Sequence, residues 1–190
     1  MPGLTSSQTV GPYFHLGLMR DGQSTMVQPE TRGEHIVIEG QVTDGLGTPV
    51  ADAMIELWQA NAAGRYDHPA DTQDKPVDPA FHGFGRAATD AAGLYRFQTI
   101  KPGTVPGRGN SLQAPHIAVS IFARGLLLHL TTRLYFDGEP LNDTDPVLAL
   151  VPDAAGRRTL IATPVAGAAI PTYRFDIRLQ GDGETVFFEI

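Results

Sequence analysis

Apolar and polar positions alternate most cleanly at Tyr173–Gln180, where Tyr173, Phe175, Ile177 and Leu179 share one face and Arg174, Asp176 and Arg178 the other. A period of two marks a half-buried strand, because successive side chains of an extended chain point to opposite faces. The same period runs through Glu34–Thr43, where Ile36, Ile38, Gly40 and Val42 align and Asp44-Gly45 follows as a turn. Ala53–Gln59, Leu94–Ile100, Pro115–Phe122 and Leu126–Phe136 read as further strands, and Val147–Val151, Arg158–Ala162 and Thr185–Ile190 as shorter ones. No window carries a strong period of 3.6 residues. About eight short strands separated by turn signals predict an all-β chain, a β-sandwich with long loops and at most short helices. Two stretches fall outside the pattern. Residues 1–33 read as an irregular N-terminal segment, and Ala60–Phe84 as a long insertion rich in Asp, Pro and Gly with room for a short helix at most.

Composition agrees with this picture. Gly and Pro together make 36 of 190 residues, about 19% against roughly 12% in average proteins, which calls for many tight turns. One domain spanning 1–190 is the natural division for this length. The net charge of −7 repels phosphate backbones, so nucleic acid is an unfavourable partner. Zero cysteines exclude disulfides, thiolate metal sites and cysteine nucleophiles. The first charged residue is Arg20, so the start lacks the basic region of a secretory signal. No charge-free stretch reaches the roughly 18 apolar residues that span a bilayer. A cytoplasmic protein without membrane contact is the expectation.

With no cysteine, histidine and tyrosine are the candidates for chemistry. His15, His35, His68, His82, His116 and His129 are scattered, without the one- to four-residue spacing of paired metal ligands. His116 stands out because it sits in the apolar run Ala114–Val119, where an imidazole needs a partner. Tyr66 lies early in the long insertion. On their own, both read as packing residues. Asp143 and Asp145 suggest calcium, but the glycine and glutamate of a calcium loop are absent, and a capped turn accounts for them.

Longer motifs change this reading. Glu56-Leu57-Trp58-Gln59-Ala60-Asn61 followed by Ala62-Ala63-Gly64-Arg65-Tyr66 resembles the signature region of the intradiol ring-cleaving dioxygenases. So do Thr89–Gly103, Leu130–Phe136 and the opening Thr9-Val10-Gly11-Pro12-Tyr13-Phe14. The resemblance covers nearly the whole chain, in order, and implies the β-sandwich of that family. It also implies a ferric ion held by two tyrosines, two histidines and a hydroxide, which activates a bound catechol for ring opening by dioxygen. Phenolate and imidazole suit a ferric ion, and the metal must displace a proton that tyrosine ordinarily keeps to a pKa near ~10.

Carried across residue by residue, the ligand set is incomplete. Tyr66 and His116 match one tyrosine and one histidine; Val105 stands where the second tyrosine belongs, and Ala118 replaces the second histidine. Gln113 replaces an arginine that lies near the substrate in catalytic chains. The resemblance is therefore to the alpha-type chain of the family's two-subunit members. In that reading Fe(III) is bound by a homologous catalytic beta subunit and none by this chain, which by itself is inactive. It completes the partner's pocket within a larger hetero-oligomer that acts in aromatic catabolism. The substrate-binding candidates are Arg133, a cation suited to a carboxylate on the catechol ring, and Thr9, Gly11, Pro12 and Tyr13, whose segment would pack on the partner and wall the pocket. A rival reading rests on Ile38–Asp44 and Gly47–Ala53, which also resemble transthyretin-like binding modules without a catalytic partner. A standalone catechol or hydroxyquinol dioxygenase is disfavoured by the lost ligands.

Overall fold

The computed structural model describes residues 6–109 and 111–189, the side chains of residues 12–14 excepted. In chain order the elements are α1 (Pro12–Leu18), β1 (His35–Thr43), β2 (Met54–Trp58), β3 (Phe84–Ala88), β4 (Leu94–Ile100), β5 (Val105–Pro106), β6 (Leu112–Gln113), β7 (His116–Phe122), β8 (Leu130–Phe136), α2 (Ala154–Arg158), β9 (Ile161–Pro164), β10 (Thr172–Arg174) and β11 (Ile177–Arg178). The alternation seen in the sequence folds into two layers. One pairs β1 antiparallel with β4 and parallel with β10 and β11; the other runs β3-β2-β7-β8, all antiparallel. Strand β9 pairs with β8 and with β10, joining the layers into one hydrogen-bonded path. Ile36, Ile38 and Phe97 from one layer pack with Leu57, Ile117 and Leu134 from the other, each at most 1% exposed. Full burial of each such side chain contributes roughly 1.5–3 kcal/mol, so this seam holds the sandwich together. No helix among the described residues is long and apolar enough to cross a membrane.

The all-β sandwich is as expected, while several elements differ. Tyr173–Gln180 is two strands, because the Asp176 carboxylate takes the Gln41 N–H (2.9 Å) where a backbone carbonyl would continue the ladder. Its register with β1 survives the break, and Phe175 and Ile177 stay buried. Close to the break the chains approach so tightly that a Cβ on Gly40 would fall 1.9 Å from the Phe175 carbonyl oxygen. Val147–Val151 forms a 3-10 turn at Leu148–Leu150 rather than a strand, because Asp145 caps Val147 and Leu148 N–H (2.9 and 2.8 Å). Arg158–Ala162 divides between the end of α2, capped by Asp153, and the start of β9.

Thr185 is buried and Phe188 N–H reaches the Thr131 carbonyl (2.8 Å), yet residues 185–189 form no strand, since Val186 bonds to side chains of Thr159 and Thr132; Ile190 lies outside the described residues. The N-terminal segment contains α1, opened by Pro12 in its first turn, where proline's fixed φ is already helical. Strand β3 has no counterpart in the sequence reading, and the insertion ahead of it carries no helix among the described residues.

Candidate active site and family membership

A cavity of about 760 Å³ opens where the insertion, the small β5–β6 ribbon and the face of β7–β8 meet. Trp58, at the end of β2, begins its wall. The chain then turns through Gly64, whose φ of +80° suits glycine and whose Cβ would lie 1.9 Å from the Thr104 carbonyl oxygen. Asn61 stitches this turn: its Oδ1 accepts from Ala63 and Arg65 N–H (2.9 and 3.1 Å), and its amide donates to the Pro76 carbonyl (3.0 Å). Lys75 Nζ spans the Gly64 and Thr104 carbonyls (3.1 and 2.8 Å). The turn delivers Tyr66 onto Trp58, ring centroids 5.6 Å apart and planes 19° from parallel. Burial raises the Tyr66 pKa, with the nearby Arg133 charge opposing.

His116, 5% exposed at the start of β7, shares the cavity. Its Nδ1 lies 2.7 Å from the Ala114 carbonyl; a carbonyl only accepts, so Nδ1 carries the proton and Nε2 is left as an acceptor. Burial, reinforced by the Arg133 charge, pushes the imidazole pKa down to about 4, so the ring is neutral near pH 7. Val105 is buried in the wall and brings no donor atom. Ala118 pairs across the ladder with Arg133 on one side and with Trp58 on the other. The structure therefore brings Tyr66, His116 and Val105 into one cavity wall, with Ala118 between Trp58 and Arg133. Tyr66 and His116 offer one phenol and one imidazole to the cavity, and the Arg133 guanidinium stands beside them. This donor set does not fit a ferric ion.

Arg133 projects from β8 into the same cavity, its Nη1 donating to Gln113 Oε1 at 2.5 Å while Gln113 Nε2 donates to the Pro106 carbonyl (2.9 Å). The N-terminal candidates lie elsewhere. Thr9 Oγ1 accepts from Gly125 N–H (2.8 Å) at the far end of the β7–β8 hairpin, and Gly11 precedes α1. The side chains of Pro12 and Tyr13 lie outside the described residues. Thr9 and Arg133 are thus not neighbours within this chain. Asp145 is fully buried as a hub: it accepts from Ala114 N–H (2.7 Å), Tyr135 hydroxyl (3.0 Å), Val147 and Leu148. The capped turn, rather than a cation, explains it. Sequence reasoning missed the Asp145–Tyr135 link behind the cavity, because partners ten residues apart leave no local motif.

A family model described as Dioxygenase matches residues 9–181. The alpha chain of protocatechuate 3,4-dioxygenase from Pseudomonas putida is 45% identical, over 97% of this chain and 96% of that one. The beta chain of the Burkholderia cepacia enzyme is 44% identical over 82% of this chain and 68% of its own length. Among solved structures, the dioxygenase domain of a dioxygenase–carbohydrate-binding fusion from Streptomyces sp. SirexAA-E superposes with a TM-score of 0.65 at 27% identity, covering 95% of this chain and 97% of that one. Catechol 1,2-dioxygenase from Pseudomonas arvilla C-1 does so with 0.63 at 26% identity, over 85% and 58%. With a family model over most of its length and near full-length relatives above 40% identity, the chain belongs to the intradiol ring-cleaving dioxygenase family.

Proposed function

We propose that this chain is the alpha subunit of a protocatechuate 3,4-dioxygenase, a cytoplasmic enzyme that opens protocatechuate with O2 to 3-carboxy-cis,cis-muconate. The observation that carries the reading is near full-length identity to alpha chains, and it is supported by Val105 and Ala118 standing where the family resemblance expects metal ligands. Fe(III) in this proposal belongs to a homologous beta subunit. This chain supplies no acid, base or metal ligand; it positions substrate and excludes water. Arg133 is its carboxylate-facing residue, and Thr9, Gly11, Pro12 and Tyr13 form the segment that walls the partner's pocket.

Exposed apolar side chains favour an interface at that end of the molecule. Leu16 on α1 is 77% exposed, and Leu127 and Leu128, in the turn that Thr9 contacts, are 61% and 71% exposed. Apolar surface beside the Gln8–Val10 segment, where Val10, Leu127 and Leu128 line one groove, suits burial against another subunit. We place residues 1–33 at that contact and treat 1–190 as one domain within a higher hetero-oligomer. A transthyretin-like module without a catalytic partner would not need the Trp58–Tyr66 turn.

Expression of the chain with and without a homologous beta chain tests the proposal. Metal analysis should find no stoichiometric iron in the chain alone. The co-purified complex should hold iron on the beta chain and consume O2 with protocatechuate. Stoichiometric iron in the chain alone, together with ring cleavage, would overturn the assignment.

A further inference from the structure

We propose that the cavity of this chain is itself a binding site for a small aromatic carboxylate, held with neither iron nor partner. Arg133 takes the carboxylate, and the Trp58–Tyr66 stack takes the ring.

The register of the strands sets the dimensions. Trp58 pairs with Ala118, and Ala118 with Arg133, so these three residues form one row across β2, β7 and β8. Residues directly opposite in antiparallel strands point to the same face. Two inter-strand spacings separate the ends of the row by roughly 10 Å, with only a methyl group between them. That gap matches a benzene ring bearing one carboxylate. Tyr66, stacked on Trp58, extends the aromatic wall over the space. The open cavity's volume of about 760 Å³ falls within the roughly 300–1,000 Å³ of small-molecule pockets.

Charge selects an anion. Arg133 forms no ion pair among the described residues. Its guanidinium has five N–H donors, of which Gln113 takes one, and the Tyr135 hydroxyl is also within reach. The sole carboxylate in the wall among the described residues, Asp71, is committed to its own loop through Tyr66 N–H (2.8 Å), Gln73 N–H (3.1 Å) and the Gln73 amide (3.0 Å). His116 donates Nδ1–H to the Ala114 carbonyl and offers Nε2 as an acceptor. A half-buried guanidinium without a counter-ion, facing an aromatic wall, fits a planar aromatic acid better than a neutral phenol.

Trp58 is the single tryptophan of the chain, so its emission reports occupancy of the cavity. The purified full chain, without partner or iron, would be titrated with 4-hydroxybenzoate and, separately, with 4-hydroxybenzyl alcohol, following tryptophan emission and heat. Saturable one-to-one binding of the acid is expected, about tenfold or more tighter than the alcohol. Arg133→Gln should abolish that preference and leave the two ligands equal. Equal binding of acid and alcohol to the unaltered chain, or no saturable signal from either, would overturn the proposal without any variant having to fold. Such a failure would leave the alpha-subunit assignment standing, since that rests on iron content and complementation.

Discussion

His116 shows how burial reassigns a side chain's chemistry. In water an imidazole protonates near pH 6.5; inside this wall, beside Arg133, its pKa lies at about 4. The folded state therefore binds fewer protons than the unfolded chain between these values. Stability is then complete above pH 6.5 and falls as pH drops toward 4, by a total of about 3 kcal/mol. Urea denaturation at pH 7 and at pH 4.5 should reveal this loss, and His116→Asn should flatten it; an unaltered slope in the variant would refute it. Asp44 and Asp71, whose carboxyl pKa values are lowered by backbone hydrogen bonds that outweigh their desolvation, act in a separate window below about pH 4. Gly64 carries a different constraint, with positive φ and no room for a Cβ. Gly64→Ala should cost about 2–4 kcal/mol, because backbone strain and a clash with the Thr104 carbonyl add together. A midpoint of urea unfolding within experimental error of the parent would contradict that.

Elements are held here as much by single carboxylates as by ladders. Asp145 serves the Leu148–Leu150 turn, the entry to β7 and the Tyr135 hydroxyl at once. Asp145→Asn keeps the volume but loses the charge and one acceptor, and should lower stability by about 2–3 kcal/mol. Thermal unfolding checks it; a change below about 0.5 kcal/mol would show that the hub is dispensable. The same device limits what the sequence can disclose. Strands β1 and β4 were legible because alternating Ile36, Ile38 and Val42, and Tyr95 and Phe97, print burial directly onto the chain. Strand β3, Phe-Gly-Arg-Ala-Ala, carries no such print: it exists through pairing with β2 and through Arg86 on Glu56 (2.5 Å), partners that only the fold brings near. The breaks at Asp145 and Asp176 were equally silent, since an aspartate in sequence does not say whose N–H it will accept. At the site, the family motifs raised the expectation that positions 105 and 118 lack metal ligands, but the row Trp58–Ala118–Arg133 required the register.

On the scale of the molecule, two ends of the sandwich have different surfaces. The cavity end gathers Arg133, Tyr66 and His116; the opposite end of the β7–β8 hairpin exposes Leu127 and Leu128 beside the N-terminal segment. If that apolar end meets the proposed beta chain, Leu127→Glu with Leu128→Glu should weaken co-purification at least tenfold while leaving the melting temperature of the isolated chain unchanged, as surface changes usually do. Undiminished association would move the interface elsewhere. Between the two layers, β9 belongs to both, antiparallel to β10 and parallel to β8. Neither layer can peel away without breaking hydrogen bonds in the other, so there is no cleavage plane along which half of the protein could melt first. Amide protons of Ala162 and Thr163 should accordingly exchange with solvent only when the entire chain opens, making a four-residue strand the clock for the lifetime of the whole fold.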